Sequence, residues 1–409
     1  MMLSVDEARR RVLSAVHILD PMDVQVGRAL GAVLAHDAFA PHALPRFDNS
    51  AMDGYAVIGT ETARASQTSP VQLRIVGEVR AGDPGTQSVG PGTAARIMTG
   101  APVPPGADAV VQVEETEERD GFVLVTGATS AGRNVRPAGD DVNEGDLVVP
   151  AGTELGPGEI ALLASLGLSP AKVIRPPRVA VLVTGDELVP PETEPGPGQI
   201  RDSNSLALRA LCASAGAEVV GFPPVPDRRE ATIDMFSAAA EASDLVVSSG
   251  GVAVGRYDFV KEAVEQLGQI EMWRVAMQPG KPVVLGSVKG TTFLGLPGNP
   301  VSIHVTFEQF VRPAIRKMHG CRSLMAPVVR ATLTEDLSKK PGRMQFVRVR
   351  LRSTEEGWEA TPTGPQGSHI QSSLVGCDGV ARFAAEATKL PAGEIVEIEL
   401  WRLPGEGDG

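Results

Sequence analysis

Between Arg175 and Leu324, short apolar runs alternate with longer stretches of helical periodicity, and this alternation constrains the fold more than any other feature. The apolar runs are rich in valine and leucine, which is typical of strands buried in a parallel sheet. The alternation predicts a doubly wound parallel α/β sheet. The predicted strands are Val179–Val183, Ala217–Gly221, Leu245–Ser248, Pro282–Gly286 and Thr292–Leu296, and the predicted helices are Ser205–Ser214, Arg229–Ala242, Phe259–Leu267 and Pro300–Met318.

The segments on either side of this region carry different patterns. Ser4 and Glu7 have the spacing of a capping box ahead of a helical stretch, and Val26–His36 is predicted to form a second helix. Short β-rich runs between glycine and proline clusters follow from about Val57 to Val149. Beyond about Ala326 the helical pattern fades, and strand-like runs predict a C-terminal β-barrel or sandwich.

Composition excludes several classes of protein. The formal net charge is −12 and the pI is near 5.1, which argues against a general nucleic-acid binder because such proteins present a basic face. Cys212, Cys321 and Cys377 are far apart and form no CxxC pair, so neither a disulfide framework nor a thiolate zinc site is indicated. No export signal and no run of about 18 apolar residues is visible, which predicts a soluble cytoplasmic protein without a membrane partner.

Polar and glycine-rich loops follow the predicted strands of the α/β region. They are Thr184–Glu187, the segment at Asp227, Ser249–Gly251 and Pro297–Pro300. In open α/β sheets ligands bind outside the carboxyl ends of the strands, where helix N-termini present N–H groups to anions. Any one of these loops is more typical of a tight turn. Four loops at one edge of a sheet favour an anion-binding site.

Three carboxylates, those of Glu187, Asp227 and Asp258, fall in or just after these loops. Negative charge beside a bound phosphate is unfavourable unless a divalent cation lies between them, and Mg²⁺ prefers such oxygen ligands. The pattern indicates a metal role for Asp227 and Asp258, and less strongly for Glu187. The alternative for each residue is a helix cap or a solvated loop charge, and Asp258 stands where it could cap Phe259–Leu267.

An anion bound to an acidic protein needs local positive charge. Arg274, Lys281 and Arg343 lie in Gly/Pro-rich segments, and their charges suit an oxyanion. The alternative is a solvated surface, which the motif alone favours for Arg274. The sequence contains no HExxH spacing, no GxSxG elbow and no P-loop, so the corresponding zinc, serine-hydrolase and nucleotide-triphosphatase functions are poorly supported.

Eight longer motifs are spread along nearly the whole chain. They are Asp48–Ala56 (DNSAMDGYA), Arg96–Pro102 (RIMTGAP), Thr184–Leu188 (TGDEL), Ser248–Gly255 (SSGGVAVG), Pro279–Pro282 (PGKP), Leu296–Ser302 (LPGNPVS), Pro341–Arg343 (PGR) and Gly367–Ser373 (GSHIQSS). In content and order they resemble the motifs of the molybdopterin molybdenumtransferase (MoeA) and gephyrin E-domain family.

The resemblance implies four subdomains and a homodimer. Residues 1–45 and 137–174 would form a discontinuous, elongated and partly helical domain. Residues 46–136 would form a β-rich domain, residues 175–324 a molybdopterin-binding α/β domain similar to molybdopterin adenylyltransferase, and residues 325–409 the C-terminal β-barrel.

The resemblance also implies the reaction. Molybdopterin-AMP and molybdate would be the substrates, and Mg²⁺-dependent cleavage of the phosphoanhydride would release AMP while molybdenum enters the dithiolene. Asp53 and Thr99 would reach a neighbouring subunit's cleft, and Glu187, Asp227 and Asp258 would line it, with Asp227 and Asp258 as the metal ligands. The implied substrate-binding residues are Ser249, Gly250, Gly251, Lys281, Pro297, Gly298, Asn299, Ser302, Arg343, Ser368 and Ser372. Lys281, Arg343 and, among the serines of GSHIQSS, chiefly Ser372 would contact molybdate.

One departure from the family pattern and two alternative functions stand beside this interpretation. Gln278 occupies a position where many relatives have lysine, which removes a positive charge from the cleft. A gephyrin-like scaffold would need extra linkers or domains, and none is visible. Molybdopterin adenylyltransferase is an alternative activity as well as a candidate partner, but its family is usually a single α/β domain. Consumption of ATP, as against cleavage of an AMP ester, separates the two enzymes.

Overall fold

The structure is a computed structural model that describes residues 2–250 and 259–405. No helix within these residues is long and apolar enough to cross a membrane. The chain forms two compact units. The first unit consists of Met1–Ala35, Gly152–Gly156 and Ala171–Gly409, and the second of His36–Ala151 and Pro157–Pro170.

The first unit begins with helix α1 (Val5–Ser14), which confirms the predicted N-terminal helix. The Ser4 hydroxyl accepts a hydrogen bond from the Glu7 amide at 3.2 Å and so caps a helix end that would otherwise leave this N–H unpaired. Val5, Ala8 and Val12 form its buried face, at the spacing of one side of a helix.

The second predicted helix, Val26–His36, is wrong. Strand β1 (Pro21–Val24) is followed by a single 3-10 turn and then by strand β2 (Val33–Leu34). Gly31 has a φ of +75°, a left-handed conformation that interrupts a right-handed helix. The apolar spacing in this segment therefore reflects packing of a turn and a strand.

The second unit is rich in short strands. Six of them form a mixed sheet in the order β8-β5-β7-β6-β10-β9, and two further pairs, β4 with β11 and β3 with β12, form two-stranded sheets. The strands and helices are β3 (Ala38–Phe39), β4 (Asn49–Ser50), β5 (Gly54–Val57), α2 (Gly59–Thr62), β6 (Val71–Val79), β7 (Thr93–Ile97), β8 (Ala109–Gln112), β9 (Thr116–Arg119), β10 (Phe122–Val125), β11 (Val135–Arg136), β12 (Leu147–Val149) and α3 (Pro157–Ser165).

The first unit resumes with strand β13 (Ala171–Ile174), which lies between β1 and β2 in a three-stranded antiparallel sheet. An α/β domain follows. Its elements are β14 (Arg178–Val183), β15 (Leu188–Val189), β16 (Ile200–Arg201), α4 (Asn204–Ser214), β17 (Glu218–Gly221), α5 (Arg229–Ala242), β18 (Leu245–Ser249), α6 (Phe259–Leu267), β19 (Gly268–Arg274), β20 (Met277–Gln278), β21 (Pro282–Val288), β22 (Thr291–Leu296), α7 (Pro300–Thr306), a π-helical turn (Phe307–Val311) and α8 (Arg312–Met318).

The main sheet of the α/β domain has the order β17-β14-β18-β22-β21-β19. The first four strands are parallel, as predicted, and every residue of β18 is buried. Strand β21 pairs antiparallel with β22, and β19 pairs antiparallel with β21; the sequence prediction missed β19. A purely parallel sheet is thus wrong for this edge, although the α/β architecture is confirmed.

A closed β-barrel ends the described chain, which confirms the predicted C-terminal barrel. Strand pairings run β25-β26-β23-β29-β27 and back to β25, so five strands close on themselves. Strand β20 of the α/β domain pairs with β25 in parallel. The elements are β23 (Val328–Leu333), β24 (Leu337–Ser338), β25 (Met344–Thr354), β26 (Gly357–Pro362), β27 (Gly379–Phe383), β28 (Lys389–Leu390) and β29 (Ile395–Leu400).

Candidate functional site

The candidate site lies at the carboxyl ends of strands β14, β18 and β22, which are neighbours in the sheet. The loop after β14 is joined to the segment before α5 by backbone contacts. Thr184 forms a parallel bridge with Val225, and the amide of Asp227 donates to the Asp186 carboxylate at 3.0 Å. Sequence-distant loops are thereby brought to one edge of the sheet, as the strand order predicts.

A small pocket at this edge contains the predicted carboxylates that the structure describes. We call it the acidic pocket; its volume is about 230 Å³. Glu187 and Asp227 both line it, so the structure brings these two candidates together. Asp258 and Gly251 lie outside the described residues. The remaining lining residues are Thr184, Gly185, Thr232, Gly250, Phe259 and Val260.

The donor set of the acidic pocket fits the predicted Mg²⁺. Two carboxylate residues line the pocket, and so do two residues with hydroxyl groups, Thr184 and Thr232. In the part of the chain that the structure describes, no group of three or more His, Cys, Asp or Glu side chains could hold a metal ion. Mg²⁺ commonly uses one or two carboxylates together with waters and substrate phosphates. The residues present therefore suit a cation held jointly with a phosphate-bearing ligand.

A larger cleft, of about 610 Å³, adjoins the acidic pocket, and we call it the basic cleft. It brings together seven of the predicted substrate-binding residues in addition to Gly250: Lys281, Pro297, Gly298, Asn299, Ser302, Arg343 and Ser368. Its other walls are Met277–Gly280, Pro282, Gln366 and Gly367. Side chains from the α/β domain and from the barrel thus line one cavity.

Two cations give the basic cleft its charge. Among the residues that the structure describes, neither the Lys281 ammonium nor the Arg343 guanidinium forms an ion pair, although both line the cavity. Arg274, by contrast, is exposed at the end of β19 and does not belong to the described lining set. Unpaired cations beside a cavity are free to form charge-assisted bonds to an oxyanion.

Ser368 is held in the basic cleft by the segment that starts α7. The side-chain amide of Asn299 donates to the Ser368 hydroxyl at 3.1 Å, and the backbone amide of Val301 donates to the Ser368 carbonyl at 3.2 Å. Because the hydroxyl oxygen accepts from Asn299, its own proton remains available for a ligand. Ser372 is placed elsewhere. It is exposed in the 3-10 turn Gln371–Leu374, and the described cleft lining does not include it.

Asn204 is a site residue that the sequence prediction missed. Its side-chain amide donates to the Gly298 carbonyl at 2.8 Å and to the Ser249 hydroxyl at 3.3 Å. One side-chain amide therefore ties the last residue of β18 to the loop after β22. The sequence offers no signal for this role, because an asparagine at the start of α4 looks like an ordinary helix-terminal residue.

Gly250 lies where the basic cleft and the acidic pocket meet, and it lines both. Its φ is +89°, and a Cβ atom added to it would lie 3.2 Å from the Thr184 hydroxyl oxygen. The Gly250 amide donates to the Leu296 carbonyl at 3.2 Å, and a Cβ added to Gly298 would lie 3.8 Å from the Gly250 Cα. Glycine is thus required here both by conformation and by the close approach of neighbouring loops.

Arg348 is a second residue that the sequence prediction missed. Its side chain is fully buried, and burial lowers its pKa. Nε donates to the Ser373 hydroxyl at 2.7 Å, and Nη2 donates to the carbonyls of Pro365 and Gly367 at 3.2 and 3.4 Å. Arg348 thus holds the loop that carries Ser368. In the described residues Nη1 has no hydrogen-bond partner.

Asp53 and Thr99 are brought together in the second unit. The amide and the hydroxyl of Thr99 both donate to Asp53 Oδ1, at 2.7 and 2.8 Å. These two hydrogen bonds, the backbone one first, lower the pKa of Asp53, because they favour the ionised carboxylate. Gly54 fits between strands, since a Cβ there would lie 1.9 Å from the Val111 carbonyl oxygen. The two motifs are therefore joined by an exposed, hydrogen-bonded pair, Asp53 and Thr99.

Three family models match successive parts of the chain. They are the MoeA N-terminal region (domain I and II) at residues 3–167, the probable molybdopterin binding domain at residues 180–317 and the MoeA C-terminal region (domain IV) at residues 330–401. The three matches occur in the same order as the elements described above.

Curated relatives match over nearly their whole length. The molybdopterin molybdenumtransferase of Haemophilus influenzae is 37% identical over 402 residues, which cover 97% of this chain and 98% of that protein. Molybdopterin molybdenumtransferase 2 of Mycobacterium tuberculosis is 38% identical over 411 residues, covering 98% and 100%. A crystal structure of a molybdopterin biosynthesis MoeA protein from Pyrococcus horikosii superposes with a TM-score of 0.85 at 34% identity, covering 98% and 100%.

Proposed function

This chain belongs to the MoeA family and is an enzyme of molybdenum cofactor biosynthesis, and we propose that it inserts molybdate into adenylylated molybdopterin. In the proposed reaction the phosphoanhydride of molybdopterin-AMP is cleaved with Mg²⁺, AMP leaves and molybdenum enters the dithiolene. The names of the relatives and the molybdopterin binding domain support these substrates.

The observation that carries the proposal is the junction at Gly250. Among the residues that the structure describes, a cavity with two unpaired cations adjoins a pocket with two carboxylates, and Gly250 lines both. The proposed substrate carries a nucleotide phosphate at one end and the dithiolene that receives molybdenum from molybdate at the other. It therefore needs both kinds of environment close together. Neither environment by itself would distinguish this substrate from an ordinary anion.

Residues of the basic cleft would bind and orient the oxyanion. Lys281 and Arg343 supply charge, and the Ser368 hydroxyl can donate a hydrogen bond while it accepts one from Asn299. Ser302, which is nearly buried at the start of α7, adds a second hydroxyl to the same cavity. Tetrahedral coordination by donors on several sides would fix the position of molybdate relative to the dithiolene.

Residues of the acidic pocket would hold Mg²⁺ beside the phosphates. Glu187 and Asp227 are the described ligand candidates, and Asp258 is proposed as a third. When bound, Mg²⁺ would offset the repulsion between these carboxylates and the phosphates and would stabilise charge on the leaving phosphate. The Asp227 carboxylate accepts a hydrogen bond from the Asp186 backbone amide at 3.4 Å, and the Asp227 backbone amide donates to the Asp186 carboxylate at 3.0 Å, so the two residues hold each other in place.

The experiment that tests the proposed function is molybdate-dependent release of AMP from molybdopterin-AMP. We expect AMP release only when molybdate and Mg²⁺ are both present, and no consumption of ATP. ATP consumption with formation of adenylylated molybdopterin would identify an adenylyltransferase. Failure of both reactions, with binding of molybdopterin intact, would favour the scaffold function.

The proposal includes a homodimer with a shared site. Asp53 and Thr99 form an exposed pair whose carboxylate is ionised, and we propose that this pair serves the cleft of a partner subunit. We also propose that residues 1–45 and 137–174 form a linker domain. The same proposal places the protein in the cytoplasm and has its substrate delivered by the enzyme that adenylylates molybdopterin. The implied pairing across subunits can be tested by complementation.

Complementation uses two inactive variants, Asp53→Ala and Asp227→Ala. In a verified heterodimer one cleft would carry both substitutions and the other would carry neither. About half of the wild-type activity per dimer is therefore expected, and each variant homodimer should be inactive. Heterodimers that stay as inactive as the homodimers would count against a shared site.

A further inference from the structure

The backbone of Arg343 is anchored on both sides by its neighbours in sequence. On one side the Gly342 amide donates to the Ala385 carbonyl at 2.8 Å, and on the other the Met344 amide donates to the Ala276 carbonyl at 2.9 Å. Gly342 has a φ of +95°, so the chain turns sharply just before Arg343. The direction of the Arg343 side chain therefore depends on both anchor points.

Lys339 supports the first of these anchor points. Its ammonium donates to the same Ala385 carbonyl at 2.9 Å, and its backbone amide donates to the Thr388 carbonyl at 3.0 Å. The ammonium also lies 4.9 Å from the centre of the Phe383 ring, a cation–π distance, and Phe383 is fully buried in the barrel core. The Lys339 ammonium and the Gly342 amide thus both donate to the Ala385 carbonyl, which holds the two ends of the turn Lys339–Gly342 together.

The electrostatic surroundings agree with this placement. The pKa of Lys339 is lowered, first by burial, while the Glu386 carboxylate opposes the shift and the Arg343 guanidinium adds to it. Lys339 therefore lies within electrostatic reach of Arg343. Lys340, the next residue, is exposed. The two adjacent lysines offer equal charges in different structural roles.

We propose that Lys339 is a positioning residue for the oxyanion site, because its bond to the Ala385 carbonyl and its contact with Phe383 fix the turn that aims Arg343 into the basic cleft. The inference rests on the proposed function of Arg343 as an oxyanion ligand. Lys339 would act through Arg343, without touching molybdate. Its loss should weaken molybdate binding and leave the chemical step unchanged at saturating molybdate.

The test compares Lys339→Met with Lys340→Met in the full chain. Methionine keeps much of the packing on Phe383 but removes the charge and the donor, and the Lys340 variant removes an equal charge from the neighbouring position. Molybdate binding is measured by equilibrium dialysis, and kcat and the KM for molybdate by AMP release. For Lys339→Met we expect Kd and KM for molybdate to rise about threefold to tenfold, with kcat and the KM for molybdopterin-AMP unchanged.

A double-mutant cycle with Arg343→Ala separates positioning from a general effect of charge. In the Arg343→Ala background, Lys339→Met should cause no further loss of molybdate binding. With Arg343 intact, Lys339→Arg should bind molybdate as wild type does. Equal effects of the two lysine variants, or additive effects with Arg343→Ala, would overturn the inference. If Lys339→Met does not fold, Lys339→Gln takes its place in the same cycle.

The cycle also separates this inference from the proposed function. If Arg343→Ala weakens molybdate binding but Lys339→Met does not, the function stands and the positioning role is wrong. If Arg343→Ala leaves molybdate binding unchanged, Arg343 is not an oxyanion ligand, and its assigned role in the cleft and the positioning role of Lys339 are both wrong.

Discussion

The basic cleft and the acidic pocket meet at Gly250 but differ in how each can handle a negatively charged substrate. The cleft has a volume of about 610 Å³ and carries two unpaired cations within the described residues. The pocket has a volume of about 230 Å³ and carries two carboxylates. The cleft can therefore bind an anion directly, whereas the pocket can do so only through a cation.

Under the proposed function, this difference would allow a protein with a net charge of −12 to bind a doubly anionic oxyanion and a nucleotide together. In the proposed reaction, positive charge would lie where the oxyanion enters, and negative charge would lie where Mg²⁺ binds. Loss of the junction should impair both regions, and changes within either region should impair only one. The predictions below test this division.

The largest effect is expected from Gly250→Val, because this substitution alters both regions. A β-branched residue is strained at a φ of +89°, and its Cβ would lie 3.2 Å from the Thr184 hydroxyl oxygen and 3.5 Å from the Thr184 carbonyl oxygen. Displacement of either loop by about 1 Å can reduce the rate about 100-fold. We expect AMP release to fall at least that far, with weaker binding of both molybdate and nucleotide.

Gly290→Val is the matched control for this prediction. Gly290 has a φ of +85° in the turn between β21 and β22, and a Cβ there would meet nothing within 4 Å. Both variants should lose similar stability from backbone strain, about 1–2 kcal/mol. Comparable loss of activity in the two variants would show that instability, rather than the junction, explains the Gly250 effect.

The next largest effect is expected from Asp227→Asn, which changes only the acidic pocket. Removal of a metal ligand should reduce Mg²⁺-dependent AMP release about 100-fold. In metal-free buffer the variant should bind molybdopterin-AMP at least as well as wild type, because two unit charges about 4 Å apart repel by roughly 4 kcal/mol at an effective dielectric constant of about 20. Molybdate binding should not change.

Isothermal titration calorimetry with and without Mg²⁺ measures the binding of molybdopterin-AMP, and AMP release measures turnover. Asp234→Asn serves as the control. Asp234 is exposed on α5, so its substitution removes the same charge from outside the pocket. An Asp227→Asn enzyme that turns over normally with Mg²⁺ would remove Asp227 from the metal site.

The elements that the sequence predicts best are those whose patterns need no distant partner. Strand β14 contains the apolar run Val179–Val183 and β18 the apolar run Leu245–Val247, and both runs are buried in the sheet as predicted. Strand β19 was missed because it follows α6 directly, and its sequence, GQIEMWR, mixes polar and apolar residues as an antiparallel strand does. The location of the candidate site at the carboxyl edge was predicted from the polar and glycine-rich loops that follow the strands.

The sequence could not identify residues whose burial depends on a distant segment of the chain. Arg348, Arg350 and Arg352 alternate along β25, which predicts that all three face outward. Arg350 and Arg352 are exposed, whereas the loop that contains Pro365 and Gly367 accepts hydrogen bonds from Arg348 and buries it. Periodicity identifies the face of a strand, and only the tertiary structure shows which part of that face is covered.

The smallest effect is expected from Gln278→Lys, which sharpens the contrast by adding charge to the basic cleft. Gln278 lines the cleft at the end of β20, where it pairs in register with Gln345 of β25. A third cation near the bound oxyanion should tighten molybdate binding about threefold to tenfold, since a charge pair about 4 Å apart gains about 1 kcal/mol even at the dielectric constant of water. The gain should shrink as salt concentration rises, because exposed charges are screened.

Gln278→Met, which has similar length and no charge, should show no gain, and nucleotide binding should be unchanged in both variants. Equilibrium dialysis of molybdate at two salt concentrations measures the effect; equal affinity of the lysine and methionine variants would show that the oxyanion does not lie near residue 278.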